Sequence, residues 1–129
     1  MTKHIVVLPG DGIGPEIMKA AIAVLQAAAK TSGEQFTFEE KAFGGAGIEA
    51  AGVGLPAETL AACQACDAIL LGAIGGPAGS PWEKVQQTPE QGLLALRKAL
   101  NLFANIRPIA VPDALLPLSP VKEKIVKGC

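Results

Sequence analysis

The sequence predicts an α/β fold of three layers, with helices on both sides of a mainly parallel sheet. Three observations predict it. Two short apolar runs, Ile5-Val6-Val7-Leu8 and Ala68-Ile69-Leu70-Leu71, have the continuous character of strands buried on both faces. The segments between them carry apolar residues at helical spacing. Strand and helix patterns alternate along the chain, as crossover connections between parallel strands require.

Ile5–Leu8 is the first strand. Pro15 opens a helix that runs to about Lys30, with Ile17, Ala20, Ala21, Val24, Leu25 and Ala28 recurring at helical spacing. Phe36-Thr37-Phe38-Glu39 alternates and predicts a strand. Gly44, Gly45, Gly47, Gly52 and Gly54 make Phe43–Leu55 a loop region, with room for a short turn at Ile48–Ala51. Pro56 opens a second helix to Ala65, and Ala68–Leu71 follows as a strongly buried strand. Gly72–Gln87 is a long glycine- and proline-containing loop carrying the only tryptophan, Trp82. Pro89–Leu100 is a helix with a well-marked start. Thr88 suits the cap, Pro89 the first helical position, and Gln91 the partner position of a capping box. Leu102–Ile106 reads as another strand. Pro108, Pro112, Pro117 and Pro120 then mark an extended crossing that ends in a basic tail.

Composition limits what this chain can do. Half of its 129 residues are apolar and 18% are charged, which is globular rather than disordered. A net charge of −1 gives no electrostatic case for nucleic acid. No apolar run is long enough to cross a bilayer, and Met1 leads directly into a strand pattern without a signal segment. The expectation is a cytoplasmic protein without nucleic-acid or membrane partners. Cys63-Gln64-Ala65-Cys66 is formally a C-x-x-C, but it falls late in a helix rather than at a helix start beside a strand. It also lacks a second ligand pair for a metal, so structural thiols are favoured. A free-standing ligand-binding or C-x-x-C redox domain is the competing class.

Three stretches carry the functional argument. Gly10-Asp11-Gly12-Ile13-Gly14-Pro15 lies between a strand and a helix, where a phosphate cradle would lie. Its spacing is G-x-G-x-G, Pro15 removes one amide, and Asp11 would repel a pyrophosphate. A structural turn is the better reading. Gly72–Glu90 is the better cofactor candidate, because Gly75 and Gly76 follow the carboxyl end of a strand. A long surface loop is the other reading of that stretch. In the third stretch, steps of about 100° gather Glu90, Leu93, Leu94 and Arg97 into a sector of about 100°. A second arginine, Arg107, follows ten residues after Arg97. An arginine on an otherwise leucine-rich face points to a small acidic ligand with a greasy group. An arginine snorkelling from a core helix would give the same pattern.

Taken in order, Lys3–Glu16, Phe43–Ile48, Asp67–Pro77, Pro89–Arg97 and Leu118-Ser119-Pro120-Val121-Lys122 closely resemble the isocitrate/isopropylmalate dehydrogenase family. These are metal-dependent, decarboxylating 2-hydroxyacid dehydrogenases. The resemblance runs from Lys3 to the last residue. It implies an N-terminal fragment with an incomplete sheet. Residues 1–101 would be the N-terminal part of the first, cofactor-side domain. Residues 102–129 would be a crossing strand and the truncated start of the second.

The resemblance also implies NAD-dependent oxidative decarboxylation of 3-isopropylmalate, in leucine biosynthesis, by a protein that is a homodimer when full length. Arg97 and Arg107 match arginines that hold the malate carboxylates. Leu93 and Leu94 match positions that receive the branched alkyl group; a core helix would explain the two leucines equally. An isocitrate enzyme would need polar groups there. Gly75, Gly76, Pro77, Glu90 and Ile13 match the cofactor side. The segment Pro77-Ala78-Gly79-Ser80-Pro81-Trp82 departs from the commoner Gly-Pro-Lys-Trp. The family's Mg²⁺ or Mn²⁺ is held by aspartates, and its acid–base groups are a tyrosine and a lysine. This chain has no tyrosine, and Asp11, Asp67 and Asp113 match no metal motif. No catalytic residue and no metal ligand is therefore expected within it. A sister enzyme of homoisocitrate, tartrate or a malate-type substrate is the nearest alternative.

Overall fold

A computed structural model describes residues 1–76, 79–84 and 87–126. Three strands, β1 (Thr2–Gly10), β2 (Gln35–Glu40) and β3 (Ala68–Ala73), form a parallel sheet in the order β2-β1-β3. Val6 faces Glu39 in one neighbour and Ile69 in the other. The long helix α1 (Gly14–Ser32) connects β1 to β2. The return from β2 to β3 passes through α2 (Gly45–Ala51) and α3 (Ala57–Ala65). The two crossovers step in opposite directions from β1, so right-handed connections set α1 and α3 on opposite faces. Side-chain packing agrees. Val6 and Leu8 cluster with Phe43, Cys63 of α3 and Leu96, whereas α1 runs against all three strands. The α/β fold with a parallel sheet is thus as expected, and β1 is its buried spine.

The last well-formed helix, α4 (Pro89–Ala99), begins as the sequence predicts. Thr88 Oγ1 accepts from the Gln91 amide at 3.4 Å, and Gln91 Oε1 accepts from the Thr88 amide at 2.9 Å. It ends at Asn101, whose positive φ of 53° turns the chain back, with the Leu102 amide donating to the Arg97 carbonyl.

Several expectations need correction. Phe43–Leu55 is not only loop: Gly45–Ala51 is helical in spite of its glycines. Its N-terminus is satisfied from a distance by Asp11, as described below. Second, β3 is not strongly buried. It is an edge strand with a neighbour on one side only, and Leu71 keeps 37% of its surface exposed. Third, Leu102–Ile106 forms no strand. It is exposed and without ladder bonds, set apart from edge strand β3 by a groove that Ile69, Leu71 and this segment line together. The proline-rich stretch after it is not extended throughout, since Asp113–Leu118 is a 3-10 turn. Fourth, α1 buries Met18 and Ala29 and half-buries Ala21, Ile22 and Leu25, while Ile17 and Val24 are exposed. The row at 18, 21, 22, 25 and 29 faces the sheet. The row at 17, 20, 24 and 28 is a second apolar stripe turned away from it.

Candidate functional site

The carboxyl ends of β1 and β3 meet at Gly10 and Ala73, and the loops leaving them define one end of the sheet. Parallel sheets present ligands at this end. Gly10 is required there: its φ is +73°, and a Cβ on it would overlap the Ala73 carbonyl. The described bonds that close the β1–α1 turn are backbone bonds. The Asp11 amide donates to Ala73 O at 2.7 Å, and the Gly14 amide donates to Asp11 O at 2.9 Å.

Asp11 has a task that the sequence reading did not assign. It lies in the turn and is only 5% exposed. Its Oδ2 accepts from the Gly45 amide at 2.8 Å and the Gly75 amide at 3.0 Å, and its Oδ1 accepts from the Ala46 amide at 2.9 Å. The first turn of α2 therefore gets its cap from a residue 34 positions away. No local pattern signals such a cap. The turn-forming reading of the glycine motif fits this geometry.

Beside Gly75 lies the start of α4. A Cβ on Gly75, whose φ is +111°, would come within 3.0 Å of Glu90 Oε1. Gly76, Ser80, Trp82, Thr88, Pro89 and Glu90 line a small cavity of about 70 Å³. The cofactor-side candidates Gly75, Gly76 and Glu90 are thus neighbours. Ile13 leads into α1 from the same end of the sheet and is 55% exposed, open to a ligand. Pro77 lies outside the described residues.

Along α4, burial grades smoothly around the helix. Gly92, Leu96 and Pro89 are buried. Leu93 and Arg97 are half-buried, and Glu90 and Leu94 are exposed. The predicted face is real, but it is the border of the core rather than its centre. Leu93 packs on the core cluster, whereas Leu94 is 62% exposed. The leucine pair is split: one anchors the helix and the other is free to meet a ligand. Arg97 lines a groove of about 750 Å³ together with Ile69, Leu71 and the Leu102–Ile106 segment. No carboxylate among the described residues pairs with it. Arg107 follows the last residue of the groove and is exposed, and no described bond joins it to Arg97.

Cys63 and Cys66 behave as structural thiols. Burial, the main cause, pushes the Cys63 thiol up to about 11, and Cys66 donates to the Cys63 carbonyl at 3.3 Å. A redox pair needs a shift in the other direction. Asp67 is equally engaged. Asp67 accepts from Lys3 Nζ at 2.9 Å and from the His4 amide at 2.8 Å, which pins β1 to the start of β3. Lys3 foremost, then the amide bond, holds its carboxyl below the usual range. Among the described residues, no three His, Cys, Asp or Glu side chains converge on a site that could hold a metal ion. No helix among them is long and apolar enough to cross a membrane.

Comparison with known proteins places this arrangement. Residues 4–129 match the isocitrate/isopropylmalate dehydrogenase family. The chain is 58% identical over 128 residues to a 3-isopropylmalate dehydrogenase of Listeria innocua, and 56% identical over 126 residues to one of Streptococcus mutans. It is covered almost completely in both matches, 99% and 98%, but spans only 36% of each relative's length. Among solved structures, an isocitrate dehydrogenase from Methylococcus capsulatus superposes with a TM-score of 0.65 at 35% identity. That match covers 84% of this chain and 29% of the other. A beta-decarboxylating dehydrogenase from Thermococcus kodakarensis gives the same TM-score, 0.65, at 33% identity, over 84% of this chain and 30% of its own.

Proposed function

This chain belongs to the isocitrate/isopropylmalate dehydrogenase family, and from that premise we propose that it forms the N-terminal part of an NAD-dependent enzyme that oxidatively decarboxylates 3-isopropylmalate. The observation that carries the reading is the order of groups along α4. Glu90, beside Gly75 and Gly76, stands at the N-terminal end, and Arg97 stands two turns on, about 10 Å along the axis. Leu93 and Leu94 lie between them. A substrate with a carboxylate at one end, a branched alkyl group beside it and a reacting carbon facing the cofactor matches that order.

Arg97 is the group that holds a malate carboxylate. Its guanidinium stays charged, offers a planar fork, and has no competing acid among the described residues. Arg107, exposed ten residues after Arg97, supplies a second fork. Leu94 receives the alkyl group, with Leu93 behind it fixing the helix. Bound NAD would supply the hydride acceptor. The cavity beside Glu90 is large enough for only part of a dinucleotide, so Gly75, Gly76, Glu90 and Ile13 form one wall of its site. The described residues do not fit a divalent cation: Asp11 is committed to amides, Asp67 to Lys3, and Asp113 stands alone on the 3-10 turn. We assign to this chain binding and orientation, not metal chemistry or proton transfer. On this reading the polypeptide acts in leucine biosynthesis, in the cytoplasm, as a homodimer when complete. Residues 1–129 alone would produce no NADH from isopropylmalate, even with Mg²⁺ or Mn²⁺.

Substrate profiling of the full-length protein tests the reading. The highest kcat/KM is expected for 3-isopropylmalate with NAD. Better use of tartrate, homoisocitrate or unbranched malate would assign the protein to a sister activity and remove the alkyl-pocket role from Leu94.

A further inference from the structure

Among the described residues, the Asp11 side chain makes no bond within its own turn. Backbone bonds from Asp11 to Ala73 and from Gly14 to Asp11 already close the β1–α1 connection. The carboxylate is instead directed wholly at two distant segments, the first turn of α2 and the residue that follows β3 and Ile74. It is buried, and no cation among the described residues pairs with it. Three amide dipoles are its only described partners. Burying a carboxylate without a counter-ion is costly, and charge-assisted bonds to amides offset that cost only while all three amides converge. A second contact spans the same seam. The Trp82 ring lies across both Gly45 and Gly76, so that a Cβ on either glycine would clash with it.

We propose that Asp11 is a positioning residue for the cofactor side of the cleft: its buried carboxylate fixes Gly75, and hence the backbone facing Glu90, to the first turn of α2. The proposal rests on the reading of Gly75 and Glu90 as cofactor-facing. It adds that the placement of this wall is set by a residue that touches no ligand. Loss of the carboxylate frees Gly75 to drift from Glu90. The groove around Arg97, two turns along α4, keeps its shape.

The test uses the full-length protein with Asp11→Ala, Asp11→Asn and Gly75→Ala. Asp11→Ala is expected to raise KM for NAD about tenfold while KM for the hydroxyacid stays within about twofold. Hydrogen exchange should quicken in peptides carrying the Gly75 and Gly45 amides and stay unchanged across β1 and α1. Asp11→Asn keeps one acceptor oxygen and should raise KM for NAD about threefold. Gly75→Ala, which pushes a Cβ at Glu90, should raise it as well. A scaffold role would lower the active fraction and leave both KM values alone, and that result overturns the proposal. If Asp11→Ala does not fold, an unchanged KM for NAD in Asp11→Asn overturns it. A rise in Gly75→Ala without one in either Asp11 variant keeps the cofactor reading and removes Asp11 from it. No rise in any variant removes the cofactor reading of Gly75 itself, and the proposal with it.

Discussion

Replacing Leu94 with alanine separates ligand contact from folding, because the two leucines of α4 have different surroundings. Leu93 packs on the core cluster, so truncating it damages stability and binding together. Leu94 retains 62% of its surface in solvent, and that fraction is what a bound alkyl group can cover. Full burial of a leucine side chain is worth about 1.5–3 kcal/mol, and covering the exposed fraction therefore about 1–2 kcal/mol. In the full-length protein, Leu94→Ala should lower kcat/KM for 3-isopropylmalate relative to malate by about 5- to 30-fold. Urea unfolding should shift by less than about 0.5 kcal/mol, since the residue is largely exposed. The assay is the ratio of kcat/KM values for the two substrates, measured with the same enzyme preparation. An unchanged ratio would refute the alkyl-pocket role. An equal loss for both substrates, with a lowered unfolding midpoint, would show that Leu94 supports the helix instead.

Other outcomes follow from the same geometry. Arg97→Lys keeps the charge but loses the fork, and should lower kcat/KM about tenfold with little change in stability; an unchanged value would leave Arg97 as a snorkelling side chain. Thr88→Ala removes half of the capping box and should destabilise the protein by about 1 kcal/mol in urea melts, with Thr88→Ser restoring most of it. Burial raises the Cys63 thiol from 9.0 to about 11, so the folded state holds its proton more tightly than the unfolded state. That contribution is intact below pH 9 and is lost as pH climbs through about 11; stability measured at pH 8 and pH 10 should fall less in Cys63→Ala than in the parent.

What the sequence made legible depended on how local each cause is. The capping box of α4 involves residues three apart, and the β-branched spine of β1 announces burial on both faces, so both were readable. The helix Gly45–Ala51 was not, because its N-terminal amides are satisfied by Asp11 from across the fold. Burial of β3 was overestimated because an apolar run records what a strand is suited to touch, not whether a neighbour is present. Leu102–Ile106 likewise has strand character without a ladder, since a groove parts it from edge strand β3. The face of α4 was placed to within one helical position. Its split into an anchoring Leu93 and an open Leu94 is set by where α4 meets Val6, Leu8 and Phe43, which no periodicity encodes. The chemistry of the glycine motif was legible by exclusion, through Pro15 and the wrong spacing, while the positive task of Asp11 was not.

The central place of β1 has a consequence for how the chain reaches its fold. Its ladder partners both come later in the sequence: His4 pairs with Thr37, and Ile5 with Ala68. Of the three strands, the earliest to leave the ribosome is thus the one whose apolar faces wait longest for cover. Pairing with β2 closes a loop of about half the span that β3 demands, and the entropy of closing loops favours the shorter one only slightly. A two-stranded β1–β2 intermediate with α1 docked on one face still exposes Val6 and Leu8 on the other. Only after Cys63 and Leu96 have been synthesised can that second face close. Until then the nascent chain presents Val6 and Leu8 as an adhesive surface, and its dependence on chaperones should be greatest over that interval.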